Sequence, residues 1–417
     1  MNSRIKYLIV SASSCLAILL LIGSVLGQGA SSADDAYKHI GVFSDVVSRI
    51  KSEYVEEPDM KSVTMGALNG MLEAIDPFAS YLNAEQYKDY VKNKDLQRAD
   101  VGLILSKKFG YVGIVGTVPG SPAAKAGLST MDMIETIKGV ATRDMPLAYA
   151  GLLLQGEPGS TVELSVVRVR RPEPQTVTLT RAILTLPPVQ AKMLDGQVGY
   201  INIDALSPAV VKEAAAAIEK LQTEGAQKLV LDLRSCAVGT PDDGIALANL
   251  FLSKGLIAYQ QGQRVPRQNF DADPSKAVTS LPLAVLTNHG TADAAEIAAA
   301  ALMGNKRAQV VGERTYGDAS LRRTITMDDG GAIILSVAKY YSPDGKAIQD
   351  TGVTPGVLVN EPEPQVDVDE NGEPIPALPE AAPGKIPGPS EAAPPPKKKA
   401  EDDPVVKKAL EVLGAKA

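Results

Sequence analysis

The chain of 417 residues contains two His, two Cys and no Trp, and its aromatic side chains make up 4%. Two Cys cannot build a disulfide framework, and only Cys236 lies outside the N-terminal apolar segment. Two His exclude a His-rich metal site and any set of several His-based triads. A basic excess is missing as well: 42 Lys+Arg stand against 49 Asp+Glu, a formal net charge of −7. That balance argues against a nucleic-acid binder. Residues 361–403 carry 11 acidic residues and 4 Lys, so the net charge belongs to this one stretch and the remainder is neutral. What is present describes a foldable protein. Hydrophobic residues make up 45% and charged residues 22%, and the length allows two or three domains with a sizeable core.

The N-terminus bears on compartment. Arg4 and Lys6 precede Tyr7 to Gly27, 21 residues without a charge, with Cys15 to Leu26 the most apolar part. A basic start, an apolar middle and small residues after it form an export signal over residues 1–30. The same stretch is long enough to span a bilayer if it is left uncut. Cleaved signal and retained anchor therefore stay open. Both place the remainder outside the cytoplasm, in the periplasm or facing it.

Four further regions follow. Residues 34–95 show helical spacing, with Val42, Phe43, Val46, Val47 and Ile50 on one face and a break at Asp76-Pro77. Residues 98–184 turn to short strands: Tyr111 to Val118, Met133 to Ile137, Val162 to Arg168 and Thr176 to Leu179. A short helix capped by Ser121 and ended by Gly127, and another over Leu147 to Leu154, lie between them. Residues 185–360 alternate strands (199–203, 228–233, 283–287, 310–311) with helices (209–221, 245–252, 294–303), the rhythm of an α/β layered domain. Residues 361–403 hold 11 Pro and no aromatic and read as a disordered acidic linker, before a short helix within 404–417. The fold class is α/β (α+β), multidomain.

Several of these segments resemble the carboxyl-terminal processing, or tail-specific, protease family. Gly66-Ala67, Gly70-Met71-Leu72 and Asp76-Pro77 are similar to its N-terminal helical region. Gly120-Ser121-Pro122-Ala123, Ala126-Gly127-Leu128, Asp132 and Gly139 are similar to its PDZ domain. Gly199-Tyr200-Ile201, Asp232-Leu233-Arg234, Glu296-Ile297, Gly312-Glu313, Thr315-Tyr316-Gly317 and Tyr340 to Gly345 are similar to its protease core. The resemblance implies exported serine endopeptidases with a serine nucleophile, a lysine base, backbone oxyanion donors and no cofactor.

The residues at those positions depart from the pattern. The nucleophile stretch reads Asn288-His289-Gly290-Thr291-Ala292-Asp293, so the serine position is Asp293. The base stretch reads Thr315-Tyr316-Gly317-Asp318, so Asp318 replaces the lysine, and Arg322 replaces the glutamine that supports it. In the oxyanion turn, Val238 precedes Gly239 where a glycine pair is expected, and a β-branched residue resists the conformations glycine allows. Carboxylates at both positions supply neither an activated hydroxyl nor a poised amine. The resemblance then implies a proteolytically inactive homologue acting as a scaffold or regulator. An active endopeptidase of altered mechanism that processes protein C-termini is the alternative.

Asp293 and Asp318 are expected to lie close together, with Arg322 bridging them or with solvent around them. A cation held by both, with His289 as third ligand, is the lesser expectation and a lapsed site without metal the favoured one. Val101, Gly102, Leu103 and Ile104 are the candidate carboxylate loop of the PDZ domain, whose backbone N–H groups would capture a peptide C-terminus. The partners expected are C-terminal peptides of exported proteins, an active family member or a second copy of the chain, with no nucleic acid.

Overall fold

The computed structural model describes residues 40–93, 99–143, 145–168, 171–360 and 403–414. The N-terminal apolar segment and nearly all of the acidic Pro-rich linker lie outside these residues. Among the described residues no helix is long and apolar enough to cross a membrane. The chain divides into one compact unit up to residue 67 and a second from residue 68 onward.

Helix α1 covers residues 40–53, where the apolar spacing predicts it, and leaves Val42, Phe43 and Val46 exposed. Helix α2 follows at Met60–Glu73. Within the helical region expected over residues 34–95 the structure adds one short strand after the Asp76-Pro77 break. Strand β1 (Ser80–Leu82) precedes helix α3 (Ala84–Asn93) and pairs antiparallel with a core strand, Ser80 opposite Ile334 and Leu82 opposite Ala332. The Asp76-Pro77 break ends the helical run, and the buried Ser80-Tyr81-Leu82 then finds its backbone partners in a distant sheet edge.

Residues 99–182 form a β-rich module. Its elements are β2 (Leu103–Lys108), β3 (Tyr111–Thr117), α4 (Pro122–Lys125), β4 (Met133–Ile137), β5 (Val140–Ala141), α5 (Leu147–Leu154), β6 (Thr161–Arg168) and β7 (Arg171–Thr180). The sheet order is β2-β3-β4-β6-β7, which leaves β2 at an edge. Ile114, Ile134, Ile137, Leu154, Leu164 and Val166 pack its core. Ser121 accepts from Ala124 N at 3.2 Å and Pro122 opens α4, the cap read from the sequence. Arg181, buried, donates to the carbonyls of Leu153 and Leu154 at the end of α5 and to Thr161 at the start of β6.

The third region carries β8 (Gln190–Leu194), β9 (Val198–Asn202), α6 (Pro208–Thr223), β10 (Lys228–Asp232), α7 (Pro241–Asn249), β11 (Leu256–Gln261), β12 (Gln268–Asp271) and β13 (Leu283–Thr287). It continues with α8 (Ala294–Gly304), β14 (Ala308–Gly312), β15 (Ser320–Thr326), β16 (Ala332–Tyr341) and β17 (Val357–Leu358). The central sheet runs β17-β14-β13-β10-β9-β8, parallel except for β8. Its strands alternate faces with period two. Leu229, Leu231, Leu283 and Val285 face α6, α7 and α8, while Val230, Ala284 and Leu286 face the opposite way.

That opposite face is covered by α9 (Pro404–Val412), through Val405, Val406, Ala409 and Leu410. Helix α7 starts four residues earlier than its apolar spacing suggests. Thr240 and Asp243 cap it reciprocally, and Pro241 opens it. Gly244 lets α7 approach α8, since a Cβ there would collide with the Ala294 carbonyl. A second sheet, β1-β16-β11-β12 with β15 on β16, completes the region.

Candidate functional site

Strand β13 ends at Thr287, and the chain crosses a short loop before α8 begins. Asn288 fixes that loop: its Oδ1 accepts from Ser235 N at 2.8 Å and from Gly290 N at 3.0 Å. Thr291 is buried, and its hydroxyl donates to the Leu233 carbonyl at 2.9 Å while accepting from Asn288 N at 3.1 Å. That hydroxyl is committed to holding the loop, so Thr291 is not a replacement nucleophile. His289 is exposed, with Nε2 3.7 Å from Glu313 Oε2. The loop delivers Asp293 to the first position before α8 with φ +48°. A non-glycine residue in that conformation is strained, and such strain is typical of a position built to present a side chain.

Glu296 organises what surrounds Asp293. It is fully buried, and its Oε2 accepts from Asp293 N at 3.0 Å and Asp318 N at 2.8 Å. Its Oε1 accepts from Gly317 N at 2.7 Å and from the Thr315 hydroxyl. One side chain thus ties the nucleophile-position backbone to the base-position backbone. Burial pushes the Glu296 carboxyl up to about 7, although Thr315, Asp318 and Gly317 oppose the rise by donating to it.

Asp318 is buried, and burial raises its carboxyl. Arg322 opposes that rise through an ion pair with Asp318 Oδ1 and by its charge, whereas Asp76 and Asp350 add to it. Asp293 is raised well above its ordinary value by burial first and by the Asp318 charge second. Asp293 therefore senses the charge of Asp318. The arginine, however, pairs with one of them instead of bridging both. Asp293 Oδ1 and Arg322 Nε are each out of reach of solvent and have no hydrogen-bond partner among the described residues.

Phe78 closes the other side of Arg322. The guanidinium carbon lies 4.2 Å from the ring centroid, and the Tyr316 ring meets Phe78 edge-on at 6.2 Å. Phe78 also packs with Ile104, Val115, Leu147, Ala237 and Ala292. Asp76 holds the segment: Oδ1 accepts from Phe78 N and Oδ2 from Ser336 N, both at 3.0 Å. A cavity of about 430 Å³ beside the site is lined by Phe78, Thr315, Tyr316 and Gly317 but by neither Asp293 nor Asp318.

The turn expected to bear the oxyanion donors runs from Asp232 to Gly239. Positive φ falls on Ser235 (58°) and Gly239 (146°), not on Val238. Gly239, not Val238, carries the conformation that glycine alone adopts readily. A Cβ at Gly239 would press on Leu206 and Ala294. The Val238 carbonyl accepts from Leu206 N at 2.8 Å. Cys236 is wholly buried and its thiol is pushed up by that burial, which makes it a packing residue. At the start of the turn, Arg234 pairs with Asp232 at 2.6 Å and Asp403 at 2.7 Å.

Of the other candidates, Val101 is buried while Leu103 and Ile104 begin edge strand β2. Gly102 adopts φ +81°, and a Cβ there would collide with Ser121. Its N–H was expected to be free for a peptide carboxylate. It donates instead to Asp100 Oδ1 at 2.7 Å.

Among the described residues no three His, Cys, Asp or Glu side chains gather as a metal site, and His289 faces Glu313. Glu296 and Asp76 entered the sequence reading only as parts of family-like motifs, with no role assigned, and Phe78 was not singled out.

The family model for peptidase family S41 matches residues 197–359. The carboxy-terminal-processing protease of Bartonella bacilliformis is 31% identical over 343 residues, covering 80% of this chain and 78% of that protein. The carboxyl-terminal-processing protease of Synechocystis is 34% identical over 321 residues, covering 75% of each. Among solved structures, the photosystem II D1 C-terminal processing protease matches with a TM-score of 0.64 at 27% identity, over 79% of this chain and 95% of that one.

Proposed function

The chain belongs to peptidase family S41, the carboxyl-terminal processing proteases, and from that premise we propose that it is a non-proteolytic member, exported from the cytoplasm, which engages protein segments through a PDZ-like module (residues 99–182) as a scaffold or regulator. The observation that carries this reading is the group at the assigned dyad positions. Asp293 stands where the serine is expected, and Asp318 stands at the lysine position with Arg322 paired to it. Acyl transfer needs a hydroxyl and a neutral base within hydrogen-bond reach, and this group offers neither. An arginine stays protonated and cannot take up a proton. In serine proteases, losing the nucleophile or the base costs on the order of 10⁶ in kcat.

The test is turnover of a labelled unfolded protein by the wild-type chain beside Asp293→Ala. Equal background from both is expected. Turnover abolished by Asp293→Ala, or labelling of the wild type by a serine-directed probe, would sink the proposal. One specific observation favours a second reading, an endopeptidase of altered mechanism. Burial raises the pKa of both Asp293 and Asp318, and the Asp318 charge adds to the rise at Asp293, as in a carboxylate pair that holds a proton. That reading requires turnover near pH 4–5 that is lost in Asp318→Asn. The Phe78 and Arg322 cover over Asp318 weighs against it.

A further inference from the structure

Both ends of the recognition edge of the β-rich module are occupied by this chain itself. At the loop end, Asp100 lies immediately before Val101 and places Oδ1 2.7 Å from Gly102 N. The neighbouring backbone groups are engaged too: Val101 O accepts from Ala123 N at 2.9 Å, and Gly102 O from Val118 N at 2.8 Å. The Gly102 amide therefore already holds a carboxylate, and that carboxylate is covalently part of the loop.

At the far end of β2, the Lys107 N–H donates to the Pro77 carbonyl at 2.7 Å. Because β2 is an edge strand, this is the bond an added peptide strand would make. The next residue, Phe78, belongs to a buried cluster against which Ile104 of β2 and Leu147 of α5 pack. Two residues further, Ser80 Oγ accepts from Ala148 N at 3.0 Å. It caps the start of α5, where Pro146 offers no side-chain cap. Backbone, side chain and hydroxyl of one short extended segment thus meet the strand edge, the intervening pocket and the flanking helix.

We infer that Asp100 is a specificity-determining residue which makes the module reject free C-terminal carboxylates, and that the internal segment this edge holds is the chain's own Pro77–Ser80. The inference rests on reading residues 99–182 as PDZ-like. A peptide carboxylate would have to displace Asp100 from Gly102 N and then sit beside a like charge, which is discrimination by repulsion. An internal segment brings no such charge. Pro77–Ser80 continues directly into β1, whose partner β16 belongs to the core. That edge already carries the segment that joins the module to the core, so an internal segment of another chain must displace Pro77–Ser80 to pair there.

The experiment measures binding of one fluorescent octapeptide with three apolar C-terminal residues, as free acid and as amide, to the full chain. Four forms are compared: wild type, Ser80→Ala, Phe78→Ala and Phe78→Ala/Asp100→Gly. Wild type is expected to show no preference for the acid beyond twofold, and Phe78→Ala likewise. The double variant should bind the acid at least tenfold tighter than the amide. Hydrogen exchange over residues 103–108 should be slow in wild type and at least tenfold faster in Phe78→Ala, with a smaller increase in Ser80→Ala, which removes only a hydroxyl. A tenfold acid preference in wild type overturns the inference. So does a double variant without that preference, or an edge that exchanges equally fast in all forms. None of these outcomes touches the proteolysis question, which the turnover assay decides separately.

Discussion

Two carboxylates three residues apart on α8 have opposite fates. Glu296 is wholly buried and accepts four hydrogen bonds, from Asp293 N, Asp318 N, Gly317 N and the Thr315 hydroxyl. Asp293 presents an Oδ1 with no partner, on a backbone held at φ +48°. The contrast separates framework from chemistry. The machinery that positions two loops is fully satisfied, whereas the atoms that would act are a strained acid, a second acid and an arginine. A fold can keep its scaffold after the reacting groups change, because the scaffold is also what holds the loops together.

The sharpest way to break this contrast is Glu296→Ala. It would strand three backbone N–H groups and a hydroxyl, each costing about 1–3 kcal/mol when buried without a partner. A loss of at least about 4 kcal/mol in denaturant unfolding is expected. A loss under about 1 kcal/mol would mean that Glu296 is not the organiser.

The next effect is on pH dependence. The Glu296 carboxyl is raised from 4.5 to about 7 in the folded chain. The folded state therefore binds more protons than the unfolded state between those values, and stability falls as pH rises through that window. The shift corresponds to a contribution of roughly 3 kcal/mol, full below about pH 4.5 and gone above about pH 7. Asp293 and Asp318, also raised, act in the same direction. Unfolding free energies of wild type and Glu296→Gln between pH 4.5 and 7.5 check this. The variant should show a clearly flatter profile.

A smaller effect is expected from reversion. Asp293→Ser with Asp318→Lys should leave peptide turnover within about tenfold of background. Arg322 and Phe78 still cover the base position, and the Val238 carbonyl remains held by Leu206 N. A strongly active double variant would show that the site lacks only its two reacting groups. The smallest effect belongs to Asp293→Asn, which removes a buried carboxylate, one oxygen of which lacks a partner, from beside a like charge. Its melting temperature should stay within a few degrees of wild type, a change under about 1 kcal/mol.

Much of the fold was legible in the sequence because its signals are local. Leu283 to Thr287 reads as a buried strand and is one, and the short helix expected within 404–417 is α9. Ser121 is a cap whose partner lies three residues away. Flanking motifs drew attention to Asp293, Asp318 and Arg322, and in the structure Arg322 pairs with Asp318, whose charge acts on Asp293. What escaped depends on partners remote in sequence. Strand β1 is made by Ile333 and its neighbours, and Phe78 acquires its role from Arg322 and Leu147. Asp100 is a different case, a contact only two residues long. The motif drew attention to the glycine, although the residue before Val101 is the one that takes the glycine's amide.

Residues 361–402 separate α9 in sequence from β17, yet α9 completes the second face of the central sheet and its Asp403 binds Arg234. An element joined in this way is thermodynamically a tethered ligand, and its occupancy is set by local concentration. Severing the tether converts the same contacts into a bimolecular equilibrium. A chain ending at residue 360 would then be restored by adding a peptide of residues 403–414, and its melting temperature would climb with the logarithm of peptide concentration.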